Sequence, residues 1–383
     1  MNRLRRGVRP GLVVVVTGAS SGIGRATALA FARHGARLVL TARSPRALEH
    51  VAADCRAAHR ATVAVPVPAD VTDAEALERL GRTARARFGR IDVWVNAAGV
   101  GVLGRLTDVP LTDVRRLWEV NVLGTLNGAR AALPVMRDQG RGVLVDIASV
   151  LGGVVQAPYM GAYAASKAAL VTLDEVLRRE LALAGADGVR VCTVLPAGVD
   201  TPFFAHAANR TGRELRALPS VATPERVADA VLRAATRTRP PRRLAVGPGA
   251  RLLPAAHATA RRPTLRVIAW RTEHHYLGPH GSAADTPGRL WTPSGDSAAV
   301  RGGRHSGVRS AVRAAVLRAA GTAAALAVLR AAHRIPARTP PPPRRVGAAP
   351  PATPRAHHPR GDLHGSMAPA DHRDPGGRLG RPR

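Results

Sequence analysis

Segment 161–170 reads GAYAASKAAL and sets Tyr163 four residues before Lys167 in an alanine-rich stretch of helical composition. Four-residue spacing puts both side chains on one face of a helix. A phenol titrates near ~10 when unperturbed, too high for proton exchange at neutral pH. Lowering that value by ~2–3 units takes roughly 3–4 kcal/mol. A unit charge at ~4 Å in an effective dielectric of ~20 supplies about that much. An ammonium beside the phenol would therefore make it a usable acid and base. Taken alone, such a pair is common on helix surfaces. The composition singles this one out, because Lys167 is the single lysine among 57 basic residues and all the others are arginine. A compact ammonium in such a contact is not replaceable by a planar guanidinium.

A second constellation lies near the start of the chain. Residues 13–24 read VVVVTGASSGIG, a buried strand followed by a glycine-rich loop and the first turn of a helix. Gly18, Gly22 and Gly24 let the backbone turn tightly and approach a pyrophosphate; Ser20, Ser21 and Ile23 complete the loop. The helix start offers free N–H groups and the positive end of a dipole. Strand, loop and helix follow in the order that dinucleotide binding requires. After the second strand, sites that prefer NAD carry a carboxylate for the ribose 2′-hydroxyl. This chain reads Ala42-Arg43-Ser44 there. Arg43 would suit a 2′-phosphate through paired hydrogen bonds, so the expected cofactor is NADP(H) rather than NAD(H).

The elements that must position these residues alternate from residue 11 to about 246. Apolar runs at 12–16, 37–41, 62–67, 91–95, 143–147, 189–195 and 244–246 read as strands, and their near-continuous Val/Ile/Leu content suits burial on both faces. Between them, 22–34, 73–88, 111–137, 162–184 and 224–235 carry helical periodicity. Seven strands with crossover helices predict a doubly wound α/β fold, a parallel sheet with helices on both faces and its ligand at the carboxyl ends of the strands. That domain is expected over 1–248. A partly helical extension follows over 249–306, with an amphipathic helix at 249–275. Residues 307–333 read as an Ala/Leu/Arg helix, and 334–383 as a disordered tail in which 18 of 50 residues are Pro or Gly.

Charge is distributed unevenly. Residues 1–240 carry 33 basic and 20 acidic side chains, and residues 241–383 carry 24 and 6. A basic tail could touch nucleic acid or an anionic membrane. The arginine, alanine, glycine and proline excess also fits a GC-rich coding sequence, so a solvated, compositionally biased tail is the preferred reading and no nucleic-acid partner is expected. The longest uncharged run of 308–333 is 319–329, 11 residues against the ~20 needed to span a bilayer. Weak contact of 308–333 with a membrane surface is compatible with that composition. Cys55 and Cys192 do not form a disulfide framework, and no secretory signal is convincing; a reducing, cytoplasmic setting is expected.

Together these motifs resemble, in order and spacing, those of the short-chain dehydrogenase/reductase family, a Rossmann-like fold. The resemblance covers about residues 11–246. It rests on the glycine loop, Asn96-Ala97-Ala98-Gly99, Asn121, Ser149, Tyr163-x-x-x-Lys167 and Pro196-Ala197-Gly198. Ala97 stands where a second asparagine is usual, Ala197 intervenes in a Pro-Gly pair, and the chain is longer than typical members. The resemblance implies that Tyr163 exchanges the proton with the carbonyl or alcohol oxygen and that Lys167 lowers the phenol pKa and holds the nicotinamide ribose. Ser149 would bind the substrate oxygen, and Asn121 would position a water beside Lys167. It further implies that Asp70 and Val71 flank the adenine and that Asn96, Ala97 and Gly99 close the cofactor cleft. Pro196, Gly198, Val199 and Thr201 would hold the nicotinamide end. No metal is implied, and a homo-oligomer is. Residues 150–159 and Pro202, Phe203, Phe204 and His206 would surround a largely apolar carbonyl or alcohol substrate, with the two phenylalanines as an apolar lid and His206 solvated. The rival reading is a non-catalytic NADP(H)-binding regulator, or a membrane- or nucleic-acid-associated protein acting through its basic tail.

Overall fold

The computed structural model describes residues 10–216, 221–293 and 299–303. The expected helix at 307–333 and the tail at 334–383 lie outside these residues.

Among the described residues there are nine strands: β1 (Val13–Thr17), β2 (Arg37–Thr41), β3 (Val63–Pro66), β4 (Val93–Asn96), β5 (Val102–Leu103), β6 (Gly142–Ile147), β7 (Val189–Pro196), β8 (Ala208–Asn209) and β9 (Arg243–Val246). Seven of them form one sheet in the order β3-β2-β1-β4-β6-β7-β9, and every neighbouring pair is parallel. β5 and β8 make a separate two-residue parallel pair. The chain leaves β1 toward β2 and β3 on one side and reaches β4, β6, β7 and β9 on the other. The order therefore reverses between β1 and β4, where a crevice opens at the strand ends.

Both faces of the sheet are covered, so its central strands can be apolar throughout. On one face lie α1 (Gly22–Ala32), α2 (Pro45–Ala58) and α9 (Pro224–Ala235), whose Phe31, Leu48, Val51 and Val231 pack on Val14, Val16, Leu38 and Val194. On the other, α3 (Ala74–Phe88), α5 (Gly124–Asp138) and α7 (Gly161–Leu183) bring Leu77, Leu80, Met136 and Leu181 against Val15, Val39 and Leu144. Cys55 and Cys192 are free and buried.

Two expectations change. The helix read over 111–137 is interrupted: α4 (Leu111–Trp118) passes through a π-helical turn, Glu119–Leu123, before α5. Such turns place an extra residue in the helix and re-aim a side chain, here Asn121. Gly124 follows because a Cβ there would stand 2.6 Å from Val71 Cγ2. The single helix read over 249–275 is two, α10 (Leu253–Thr259) and α11 (Arg261–Arg271), meeting at Ala260 with φ −139° and ψ 56°. Pro263 explains the break, since it has no N–H and its ring would clash with the carbonyl four residues before it. The described residues also contain two short helices, α6 (Val150–Gly153) and α8 (Phe203–His206), and a π-helical turn, Thr272–Tyr276, that follows α11. No helix among the described residues is long and apolar enough to cross a membrane.

Candidate active site

The glycine loop follows β1 and opens onto a cavity of about 190 Å³. Gly18 has φ +63°, and a Cβ on it would lie 2.6 Å from the Cα of Ala98. A Cβ on Gly24 would lie 2.2 Å from the Gly18 carbonyl oxygen. Only glycine lets the loop, the segment after β4 and the start of α1 come this close. Thr17 ties them together, its Oγ1 accepting from the Ala97 (3.1 Å) and Ala98 (3.3 Å) N–H groups. Ser21, the residue before α1, makes no side-chain cap, so the first N–H groups of the helix are left for other partners. Apart from the Gly22 N–H, which donates to the Ala299 carbonyl, this backbone and its dipole fit a dinucleotide diphosphate.

Gly18, Ser20, Ser21, Gly22, Ile23, Gly24, Arg43, Asp70, Val71, Ala97, Gly99 and Thr201 all line the cavity, joined by Val100, Gly101, Val120, Pro202, Phe203 and His206. Asp70 is fixed: its Oδ2 meets Arg116 Nη2 at 2.6 Å and its Oδ1 accepts from the Thr72 N–H at 3.0 Å. Burial pushes this carboxyl up, but the Thr72 and Arg116 hydrogen bonds outweigh it and hold the group below its usual value. His206 is half-buried on the cavity wall rather than solvated. Burial, and then the charge of Arg289, hold its imidazole below the ordinary value.

Some expected residues stand behind the lining. Asn96 is buried in the sheet, its Oδ1 accepting from Trp94 Nε1 (2.8 Å) and its Nδ2 donating to Asp146 Oδ1 (2.8 Å) and the Thr125 carbonyl (3.2 Å). Pro196, Gly198 and Val199 are held through backbone bonds: Ala197 N–H to the Val246 carbonyl, and Ala222 N–H to that of Gly198. They set the path of the chain into Thr201.

Sequence reading missed the part played by the extension. Arg43 donates to four backbone carbonyls, those of Arg289 (2.8 Å), Leu290 (3.3 Å), Trp291 (3.1 Å) and Thr292 (3.1 Å). Desolvation by burial lowers its pKa from the ordinary value. The Gly22 N–H donates to the Ala299 carbonyl at 3.0 Å. Arg289 and Pro293 line the cavity, and Trp291 stacks on Arg116 with 5.6 Å between guanidinium carbon and ring centroid. Beside Gly161 a second, more open cavity of about 610 Å³ is walled by Leu106, Pro158 and Tyr159 together with Trp270 and Glu273 of the extension. Tyr159 holds φ +63° there and donates its hydroxyl to Glu273 at 2.7 Å. Pro158 and Tyr159 fall within the expected substrate surroundings at 150–159, whereas nothing in the sequence marked Leu106 or tied the residues of the extension to these cavities.

Ser149, Tyr163 and Lys167 come together where β6 ends and α7 begins. Ser149 accepts from the Leu151 N–H at 3.1 Å and hydrogen-bonds the Tyr163 phenol. Phe203 lies against the phenol ring, centroids 5.2 Å apart, and packs on Phe204 in turn. Lys167 is 5% exposed; its Nζ donates to the Ile147 carbonyl at 2.8 Å and sits 5.8 Å from the Tyr163 ring centroid. Burial pushes the Tyr163 phenol up to about 12, with the Ser149 hydrogen bond pulling the other way. Burial also brings Lys167 down to about 8, against which an ionised Asp146 would act. The lowered phenol expected from the spacing is thus absent in this state, because desolvation dominates at this separation.

Asn121 is fully buried and clamps the chain after β4. Its Oδ1 accepts from the Val100 N–H (2.9 Å), and its Nδ2 donates to the Val100 carbonyl and to Ser166 Oγ (both 3.1 Å). A side chain on Gly99 would project to 3.4 Å from Asn121 Oδ1 and 3.6 Å from Lys167 Nζ. Gly99 therefore keeps open the space shared by those two residues.

Residues 12–211 match the family model of the short chain dehydrogenases. The probable oxidoreductase EphD of Mycobacterium tuberculosis is 36% identical over 283 residues, which are 69% of this chain and 46% of that protein; the match thus spans about half of the relative. A short-chain dehydrogenase from Streptomyces avermitilis superposes with a TM-score of 0.57 at 33% identity, covering 67% of this chain and 96% of that one. An alcohol dehydrogenase from the archaeon Thermococcus sibiricus, complexed with 5-hydroxy-NADP, gives 0.50 at 31% identity, covering 57% and 88%.

Proposed function

Because the chain belongs to the short-chain dehydrogenase family, we propose that it is an NADP(H)-dependent oxidoreductase that interconverts a carbonyl and a secondary alcohol on a largely apolar substrate. The observation that carries this reading is the contact of Ser149 with Tyr163 beside Lys167, all buried and adjoining the cavity-lining residues Phe203 and Gly99. When bound, the dinucleotide supplies the hydride. Tyr163 donates its proton to the carbonyl oxygen in reduction and takes one from the alcohol in oxidation. Ser149 hydrogen-bonds the same oxygen and holds the phenol in line. Lys167 supplies the positive charge that an emerging phenolate needs, and Asn121 fixes the backbone around Gly99.

NADP(H) is favoured over NAD(H) by the arginine after β2 and by the lack of a carboxylate in Ala42-Arg43-Ser44. The nucleotide analogue bound by the Thermococcus sibiricus relative belongs to the same class. Phe203 against Tyr163, and the open cavity walled by Leu106 and Trp270, favour an apolar substrate.

The test is a screen of NADPH oxidation over ketones, aldehydes and quinones, with Tyr163→Phe as the control. The variant is expected to bind NADPH with unchanged affinity while turnover falls by about 10²–10⁴, the usual loss for a positioned general acid. Turnover equal to wild type in Tyr163→Phe would overturn the assignment.

A further inference from the structure

Behind Lys167 the same face of α7 carries Asp174 and, one turn on, Arg178; across from them stand Asp146 of β6 and Thr193 of β7. Asp146 and Asp174 are 0% and 1% exposed. Their four carboxyl oxygens are not equivalent. Asp146 Oδ1 accepts from Asn96 Nδ2 at 2.8 Å. Asp174 Oδ2 accepts from the Thr193 hydroxyl and has Arg178 Nη2 at 4.0 Å. The other two oxygens, Asp146 Oδ2 and Asp174 Oδ1, are buried and receive no donor from any other group, and the two carboxyls are hydrogen-bonding neighbours. Two acceptors in that relation require a proton between them.

The surroundings decide which group carries it. Burial raises the Asp174 carboxyl as well, but this group has the cationic side: the hydrogen bonds from Asp146 and Thr193, and then Arg178 on its own helix and Arg243 on β9, all favour its ionised form. Asp146 has burial and then the Asp174 charge against ionisation, with Asn96 and Lys167 opposing, and its pKa is raised well above the ordinary value. The remaining titratable neighbours are neutral, since burial pushes the Cys192 thiol of β7 and the Tyr163 phenol each to about 12. Lys167 is bonded to the carbonyl of Ile147, the residue after Asp146, so the strand end that holds the ammonium also holds this pair.

We propose that Asp146 and Asp174 form a one-proton carboxyl pair, Asp146 protonated and Asp174 ionised, which sets the electrostatic field at the Lys167 ammonium and so acts as a positioning device for the catalytic lysine. Each proton-dependent step at Tyr163 then works against a fixed negative charge two turns along the same face of α7. The proposal takes the catalytic role of Lys167 from the reading above, but its test does not depend on turnover. With one lysine in the chain, lysine labelled with ¹⁵N at Nζ gives a single side-chain resonance whose titration reads Lys167 directly.

Asp146→Asn keeps both hydrogen bonds, since its Oδ1 accepts from Asn96 and its Nδ2 donates to Asp174. The charge stays where it was, and the Lys167 midpoint is expected to hold. In Asp174→Asn the new amide donates to Asp146, which takes over the charge next to the lysine, and the midpoint is expected to rise by about one pH unit. The double variant removes the charge, and the midpoint is expected to fall by about the same amount. Equal midpoints in all four proteins would overturn the proposal, as would Asp146→Asn falling as far as the double variant. A measurement on the unmodified protein stands beside these: its infrared spectrum in D₂O should contain the carbonyl stretch of a buried protonated carboxyl at neutral pH, and absence of that band would also overturn the assignment. If the resonance behaves as expected while no carbonyl substrate turns over, the functional reading fails and the carboxyl pair stands.

Discussion

The amide N–H of Gly22 donates to the carbonyl of Ala299 at 3.0 Å, which places a backbone acceptor from the C-terminal extension on the helix start that a dinucleotide diphosphate would use. Arg43, proposed above as the partner of a 2′-phosphate, is likewise held by the four carbonyls of residues 289–292. Cofactor binding must exchange these bonds. Adding NADPH to the full chain is expected to slow amide hydrogen exchange in peptides covering 18–24 and to speed it several-fold in 286–293 and 299–303. Slowing in all three would show that the extension closes over the nucleotide without yielding its contacts.

Arg43→Asp bears on cofactor choice. Charged hydrogen bonds of this kind are worth about 1.5–3 kcal/mol, so the ratio of NADPH to NADH affinity is expected to fall roughly 10- to 100-fold. Fluorescence titration of the two nucleotides measures it. An unchanged ratio would mean that Arg43 serves only to hold the extension.

Lys167→Arg removes one positive charge and supplies another, yet activity is expected to fall by about 10²–10⁴. The site is buried, and its ammonium fits between the Ile147 carbonyl and the phenol ring; a guanidinium is larger and planar. Steady-state kinetics at fixed pH, with NADPH binding measured in parallel, separates loss of chemistry from loss of cofactor.

The pH dependence follows from the same burial. Lys167 is brought from its ordinary value of 10.5 to about 8 in the folded chain, while the phenol stays protonated to about 12. Carbonyl reduction that requires the ammonium is therefore expected to decline as pH rises through about 8. The stability contribution has the opposite sense. Between about 8 and 10.5 the unfolded chain binds more protons at this lysine than the folded one, so the group's contribution to stability rises with pH across that window and is unfavourable below it. Comparing melting temperatures of wild type and Lys167→Met across this range reads the difference.

Gly24→Ala tests the close approach of α1 to its loop. The added Cβ would meet the Gly18 carbonyl at 2.2 Å, and backbone must move to admit it. A loss of about 1–3 kcal/mol in unfolding free energy is expected, together with weaker NADPH binding. Denaturant melts and nucleotide titration report the two effects independently.

The strands, the alternation of strand and helix, the glycine loop and the Tyr163–Lys167 pair were all legible in the sequence. Each is written in short-range terms: an apolar run, a glycine where a Cβ has no room, a four-residue spacing on a helix. The solitary lysine strengthened the last. Other features join residues far apart in the chain, and no local period records them. Asn121 was legible as a motif residue, but not that the π-helical turn would bring its amide onto Val100, 21 positions earlier. Arg43 read as a free anion site, and its partners lie 246 to 249 residues on. Asp146 and Asp174 gave no signal at all, since a buried carboxyl has meaning only once its neighbours are known. The sequence by itself determined the sheet, the loop and the Tyr163–Lys167 spacing, because local sterics and hydrophobic period dictate them. Only the tertiary structure decided what surrounds that pair, because desolvation and charge are set by whichever distant segments fold against it.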